Sequence, residues 1–124
     1  MQKKVLLVED NEDDRDLVSF VLKSSRLNVE LLTAENGEEG LALAFKHIPD
    51  LILMDMQLPV MDGWDAVPIL RSDTRTESIP IVALTAQAKP EDKRKTKEIG
   101  CIEYMSKPIM PDELLALVKI YLQI

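Results

Sequence analysis

Paired cysteines, apolar stretches of membrane length and a signal-peptide pattern are what this sequence lacks. Its one cysteine, Cys101, can form neither an internal disulfide nor a thiolate metal site, which agrees with a reducing compartment. No apolar run approaches the roughly 18 residues that a membrane span requires. Residues 1–5 lead directly into a strand-like segment without a signal-peptide core. We therefore exclude an integral membrane protein and expect a cytoplasmic one.

An excess of positive charge is also missing. Lys and Arg number 15 against 22 Asp and Glu, which gives a formal net charge of −7. Affinity for nucleic acids comes largely from neutralising phosphates with Lys and Arg, so we expect no direct binding to them. The length of 124 residues, with 46% hydrophobic and 30% charged residues, is typical of a globular protein. We expect one domain over residues 1–124.

Five short apolar runs are the candidate strands. The runs that begin at Lys4, Leu51 and Ile79 are nearly continuous rather than alternating, which is typical of strands buried on both faces of a parallel sheet. The runs cover Lys4–Val8, Val29–Ala34, Leu51–Met54, Ile79–Leu84 and Ile102–Met105.

Segments with helical signals alternate with these runs. Asn11 and Asn36 are good N-cap residues, and Gly100 is suited to a helix end. In the third such segment, Pro68 lacks a backbone donor and predicts a late helix start or a kink. Helical spacing predicts core-facing side chains at Leu17, Phe20, Val21, Leu41, Ala42, Phe45, Leu114, Leu117, Val118 and Tyr121.

This alternation predicts an α/β fold, namely a doubly wound, flavodoxin-like parallel sheet of five strands in the order 2-1-3-4-5 with helices on both faces. The carboxyl ends of such strands meet at one edge of the sheet. Polar residues follow four of the strands at that edge: Glu9, Asp10, Asp55, Thr85 and Lys107. Because the first and third strands are neighbours in this order, we expect Glu9, Asp10 and Asp55 to converge.

The three carboxylates predict a cation site. Close carboxylates repel one another unless one of them takes up a proton or a cation lies among them. Mg²⁺ suits the site because it is a hard cation that binds one or two carboxylates and leaves positions for phosphate oxygens. Lys107 and Thr85 add a positive charge and a hydroxyl donor, which favour a phosphoryl group. A carboxylate that attacks phosphorus forms an acyl phosphate, so the pattern indicates phosphoryl transfer.

Four motifs along the chain are each weak alone but specific together. They are Leu7–Asn11, Met54–Asp55 with Pro59 and Gly63, Leu84–Ala86, and Lys107–Pro108. Together they resemble the response-regulator receiver domains of two-component signalling, of the stand-alone, chemotaxis-regulator type. The resemblance extends over essentially all 124 residues.

The resemblance implies roles for the acidic residues. Asp55 is expected to accept the phosphoryl group and also to bind Mg²⁺. The other expected Mg²⁺ ligands are Glu9, Asp10 and the backbone carbonyl of Gln57. Gln57 and Gln87 occupy positions that tune the lifetime of the phosphoryl group in the family, although the sequence gives no value for this lifetime.

The resemblance also implies how the phosphoryl group is held and sensed. Thr85 and Lys107 are expected to bind its oxygens, and Tyr104 to change rotamer as Thr85 moves inward. The bond between Lys107 and Pro108 is expected to be cis. The response is then expected on the face built by the fourth helix, fifth strand and fifth helix, where a downstream protein would bind.

The phosphoryl donor is expected to be a histidine of a sensor histidine kinase or of a histidine phosphotransfer protein. His47 precedes the third strand and therefore belongs to the opposite edge of the sheet from Asp55, so it is not a local donor. The protein is expected to be a switch rather than an enzyme with turnover, since it catalyses only its own phosphorylation and dephosphorylation.

Three alternatives are open. A non-phosphorylated interaction module on the same fold would normally lack some of the five polar site residues, all of which are present here. A Mg²⁺-dependent phosphatase would need a second acid two residues after the nucleophile, where this chain has Gln57. The chain could also be a receiver domain cut from a longer hybrid kinase or transcription factor.

Overall fold

A computed structural model describes residues 2–86 and 89–124, so Gln87 lies outside the described residues. Five strands alternate with five helices over these ranges. The strands are β1 (Lys3–Val8), β2 (Val29–Ala34), β3 (Leu51–Asp55), β4 (Ile81–Thr85) and β5 (Glu103–Ser106). The helices are α1 (Glu12–Ser24), α2 (Gly37–His47), α3 (Gly63–Ser72), α4 (Pro90–Ile99) and α5 (Pro111–Leu122). Within these ranges no helix is long and apolar enough to cross a membrane.

The five strands form one parallel sheet in the order β2-β1-β3-β4-β5, which confirms the predicted topology. The central strand is β3, where Leu53 pairs with Leu7 of β1 on one side and with Val82 of β4 on the other. Parallel pairing brings the carboxyl ends of β1, β3, β4 and β5 to the same edge of the sheet.

The sheet separates two hydrophobic clusters. Side chains of successive strand residues point to opposite faces, so Ile52 and Met54 join one cluster while Leu51 and Leu53 join the other. The first cluster also contains side chains from α2 and α3, and the second contains side chains from α1 and α5. Burial on both faces explains why β3 is a continuous apolar run in the sequence.

Two of the predicted core positions are wrong. Phe20 is 68% exposed, and the buried residues of α1 are Val18, Val21 and Leu22. Phe20 comes two residues after Val18, about 200° around a helix with roughly 100° per residue. The same offset explains why Ala42 is exposed while Ala44 is buried.

Prolines bear on two of the predicted element boundaries. For α3 the sequence predicted a late start or a kink at Pro68. The start is not late, because the helix begins at Gly63, where the side chain of Asp62 accepts a hydrogen bond from Asp65 N at 3.1 Å, and it continues through Pro68; the kink stays a prediction. β4 begins at Ile81 rather than Ile79, because Pro80 has no N–H to donate to a neighbouring strand.

The fifth strand, β5, is displaced by one residue from the prediction. It runs from Glu103 to Ser106 instead of from Ile102 to Met105. The shift leaves the positions of Thr85 and Lys107 at the functional edge unchanged, because Thr85 is still paired with Ser106, the residue before Lys107.

Candidate functional site

Three carboxylates converge at the carboxyl edge of the sheet, as predicted. Val8 at the end of β1 pairs with Met54, so Glu9 and Asp55 follow neighbouring positions on adjacent strands. One carboxylate oxygen from each of Glu9, Asp10 and Asp55 lies within 4.8 Å of the other two. Glu9 and Asp55 are buried, whereas Asp10 is exposed at the mouth of the site.

The burial of Glu9 changes its protonation. Loss of solvent, followed by a hydrogen bond with Asp55, raises the pKa of Glu9 from 4.5 to about 8, against the opposing effect of Lys107. The carboxylates of Glu9 and Asp55 would repel each other if both were ionised in this buried site, so a proton or a cation is needed to reduce the repulsion.

Lys107 partly neutralises the cluster. Its Nζ lies 2.5 Å from Glu9 Oε1 and 2.7 Å from Asp55 Oδ2. These contacts raise the pKa of Lys107 above its usual value, although burial acts in the opposite direction. The same Nζ lies 3.3 Å from Oδ2 of Asp14, so the ammonium has three carboxylate neighbours.

The sequence did not predict the contact between Asp14 and Lys107. Asp14 lies in the first turn of α1, where acidic residues are favoured by the helix dipole whether or not they have another role. Glu12 and Asp13 fit the same pattern. Nothing in the sequence therefore distinguished Asp14 from its neighbours.

The turn after β3 fixes the carboxylate of Asp55. Oδ1 of Asp55 accepts a hydrogen bond from Gln57 N at 2.8 Å, and Met56 N donates to Leu84 O at 3.0 Å. Gly63 lies directly over this turn, because a Cβ on Gly63 would come 2.8 Å from the backbone oxygen of Asp55. Only a glycine allows α3 to begin so close to Asp55.

The turn after β1 fixes Glu9 in the same way. Oε2 of Glu9 accepts a hydrogen bond from Asn11 N at 3.3 Å, and Nη1 of Arg15 donates to the backbone oxygen of Glu9 at 3.0 Å. The side chain of Asn11 caps α1 by accepting from Asp14 N at 2.9 Å. The helix cap and the carboxylate of Glu9 are therefore held by one loop.

These residues fit a divalent metal ion. Oε1 of Glu9 is buried and lies 2.5 Å from the ammonium of Lys107, so this oxygen already faces a positive charge. The donors are carboxylate oxygens, which hard cations such as Mg²⁺ prefer. The cleft above them is lined by Asp10, Asn11, Glu12, Asp55, Gln57, Ala86 and Lys107.

Thr85 and Tyr104 lie beside this cleft on β4 and β5. Thr85 is buried, and its backbone oxygen accepts a hydrogen bond from Lys107 N at 2.8 Å. Burial raises the pKa of Tyr104, while a side-chain hydrogen bond with Thr85 acts in the opposite direction. Nζ of Lys93 in α4 lies 5.5 Å from the centre of the Tyr104 ring.

Two further predictions concern the surroundings of the site. The peptide bond between Lys107 and Pro108 is cis, as predicted. His47 lies in the last turn of α2, before β3 begins, and the structure does not bring it to Asp55.

Known proteins similar to this chain match nearly its whole length. A family model described as the response regulator receiver domain matches residues 5–119. The chain is 39% identical over 122 residues to the polar-differentiation response regulator DivK of Brucella anthropi, which covers 98% of each protein.

Solved structures give the same result. The chemotaxis response regulator CheY4 of Vibrio cholerae has a TM-score of 0.88 at 35% identity, with 98% of this chain and 99% of that chain covered. The receiver domain of a sensor histidine kinase from Pseudomonas aeruginosa PAO1 has a TM-score of 0.88 at 29% identity over 100% of both chains. That receiver domain carries a magnesium ion coordinated in its active-site cleft.

Proposed function

Because this chain belongs to the response regulator receiver domain family of two-component signalling, we propose that Asp55 is the residue that accepts the phosphoryl group. A phosphoacceptor role is typical of this family. The observation that carries the proposal is the position of Asp55, buried at the end of the central strand between two other carboxylates and the ammonium of Lys107.

The carboxylate of Asp55 is oriented for nucleophilic attack. One oxygen is held by the Gln57 amide and the other by Lys107 Nζ. In the transfer, an electron pair on an Asp55 oxygen forms the new P–O bond. The P–N bond to the donor imidazole breaks, and the imidazole nitrogen keeps that pair.

Glu9, Asp10, Asp55 and the backbone carbonyl of Gln57 are the proposed ligands of a Mg²⁺ ion. When bound, Mg²⁺ neutralises negative charge on the phosphoryl oxygens and on the attacking carboxylate. Glu9 and Asp10 hold their oxygens close to Asp55, so the chain itself supplies the negative charge that a cation requires.

Thr85 and Lys107 are the proposed partners of the transferred phosphoryl oxygens. Lys107 already contacts Asp55, and its backbone amide donates a hydrogen bond to the backbone oxygen of Thr85, so the two residues are neighbours at this edge of the sheet. We further propose that Tyr104 follows Thr85 inward. The hydrogen bond between these two side chains supports this coupling.

The proposed output is a change at the face built by α4, β5 and α5. Tyr104 of β5 is covered by Lys93 of α4, so a movement of the tyrosine ring would change this surface. Receiver domains interact with histidine kinases or histidine phosphotransfer proteins, which would donate the phosphoryl group. We propose in addition that a downstream protein binds the face built by α4, β5 and α5.

The remaining expectations stay predictions. They are one receiver domain over residues 1–124, a cytoplasmic location, and a switch whose only catalysis is its own phosphorylation and dephosphorylation.

The test is phosphorylation with acetyl phosphate. The parent protein should gain the mass of one phosphoryl group in the presence of Mg²⁺, and the gain should disappear with EDTA or in Asp55→Asn. Asp65→Asn is the matched control, because Asp65 is an exposed aspartate in the first turn of α3. The control should be phosphorylated like the parent. A modification that survives Asp55→Asn, or that does not need Mg²⁺, would contradict the proposal.

A further inference from the structure

The ammonium of Lys107 occupies the same carboxylates that a metal ion would use. It contacts Glu9 and Asp55, two of the three residues whose oxygens converge. Two cations cannot share these oxygens without strong repulsion. Lys107 must therefore give up at least one of these contacts before a divalent ion can bind.

Asp14 offers the ammonium a third contact, away from the converging oxygens. Its Oδ2 lies 3.3 Å from Lys107 Nζ, and its carboxylate is not one of the three whose oxygens converge. Its backbone is fixed, because Asp14 N donates to the cap residue Asn11. The side chains of Asp14 and Lys107 are 25% and 20% exposed, so solvent only partly screens the pair.

We propose that Asp14 is a positioning residue that keeps the Lys107 ammonium within reach of Asp55 when the ammonium leaves Glu9 and Asp55. This inference rests on the proposed function, because it concerns how Lys107 is made available to a phosphoryl group. Without Asp14, the ion-pair partners left to Lys107 among residues 2–86 and 89–124 are the two carboxylates of the cation site, so Lys107 competes with the metal ion more strongly.

The test compares Asp14→Asn with Asp13→Asn. Both changes remove one negative charge from the first turn of α1, but Asp13 is exposed and makes no ion pair with Lys107 within the described parts of the chain. Mg²⁺ affinity, measured by calorimetry, should fall about two- to five-fold more in Asp14→Asn than in Asp13→Asn. Asp14→Glu should restore the affinity.

A double-mutant cycle separates contact with Lys107 from a general effect of charge. In a Lys107→Ala background, Asp14→Asn and Asp13→Asn should have the same Mg²⁺ affinity, because the competing ammonium is gone. The positioning role would be overturned by either of two results. One is a difference in Mg²⁺ affinity between Asp14→Asn and Asp13→Asn that persists in the Lys107→Ala protein. The other is equal Mg²⁺ affinities of the two variants when Lys107 is present.

NMR of the lysine ammonium group gives a second readout in the metal-free protein. The Lys107 Nζ signal should shift in Asp14→Asn and stay in place in Asp13→Asn, and an unchanged signal in both variants would also overturn the proposal. The two proposals fail differently. If the parent protein takes up no phosphoryl group, the proposed function fails, while an NMR shift and a coupling in the cycle would still establish the contact between Asp14 and Lys107.

Discussion

The ammonium of Lys107 only partly balances the negative charge at the site. Glu9 and Asp55 are buried side by side, and removing a partner from a buried charge is far more costly than removing one at the surface. Lys107 contacts both carboxylates, but one positive charge does not neutralise two negative ones. The metal-free site therefore retains a preference for a second positive charge, which a proton on Glu9 supplies below its pKa of about 8.

Mg²⁺ binding should consequently depend on pH through Glu9. Burial raises the pKa of this carboxyl to about 8, so Glu9 holds a proton below that pH and must release it to bind a cation. We expect Mg²⁺ affinity to rise from pH 6 to pH 8, by up to about tenfold per pH unit. Calorimetry in buffers with different ionisation enthalpies would count the released protons. An affinity that is constant over this range would contradict the assignment, and Glu9→Gln should abolish the proton release.

The polar residues of the site were predictable from the sequence because they follow strands. Glu9, Asp55 and Thr85 follow or end buried apolar strands, Lys107 follows β5, and parallel strands bring such positions together. Asp14 follows no strand. Its contact with Lys107 depends on how α1 packs beside the loop after β5, which no local pattern encodes.

The loop between β3 and α3 is held by backbone contacts. Gly37 at the start of α2 donates its amide to Met61 O at 2.8 Å, and a Cβ on Gly37 would collide with the backbone of Met61. Within this loop, Val60 has a φ of 67° and is 77% exposed. A β-branched residue in this left-handed region is strained by about 1–2 kcal/mol.

Replacing Val60 should therefore stabilise the protein. Asn tolerates the left-handed conformation, and an exposed valine loses little burial, so Val60→Asn should raise the free energy of unfolding by about 0.5–1 kcal/mol. Urea denaturation would measure the change. Val60→Thr is the control, because Thr is polar like Asn but β-branched like Val. If Val60→Thr stabilised as much as Val60→Asn, polarity rather than backbone strain would be the cause.

Helices and strands differ in how completely the sequence predicts them. A strand such as β3 is buried on both faces, so every residue before Asp55 carries the apolar signal. In α1 only one stripe is buried, and the sequence offers both Phe20 and Val18 as candidates for it. The choice between them is made by the packing of α1 against β2 and α5, so the length of the helix was easier to predict than its buried face.

A divalent cation at the carboxylate site would stabilise the whole molecule, because the converging oxygens of Glu9, Asp10 and Asp55 come together only in the folded chain. A ligand that binds only the folded state stabilises it, by about 2.7 kcal/mol at a concentration one hundred times its Kd. For a chain of 124 residues, this corresponds to an increase in Tm of about 10 °C.

We expect Mg²⁺ to raise Tm by this amount in a calorimetric or fluorescence scan. Sodium chloride at the same ionic strength controls for general screening of the negative charge and should raise Tm much less. Asp10→Asn removes a proposed ligand at an exposed position, so the variant should fold but lose most of the Mg²⁺ effect. An equal gain in Asp10→Asn and the parent would contradict a site that includes Asp10.

The central position of β3 in the sheet limits how easily this part of the chain opens to solvent. β3 is hydrogen-bonded to β1 and β4, all five of its residues are buried, and the four before Asp55 belong to the two hydrophobic clusters. Exchange of its amide hydrogens with solvent requires the whole sheet to open, whereas loops and helix ends open at a much smaller cost. Asp55 therefore keeps its backbone position while the loops around it open, so access to its carboxylate depends on those loops and on Lys107, which contacts it.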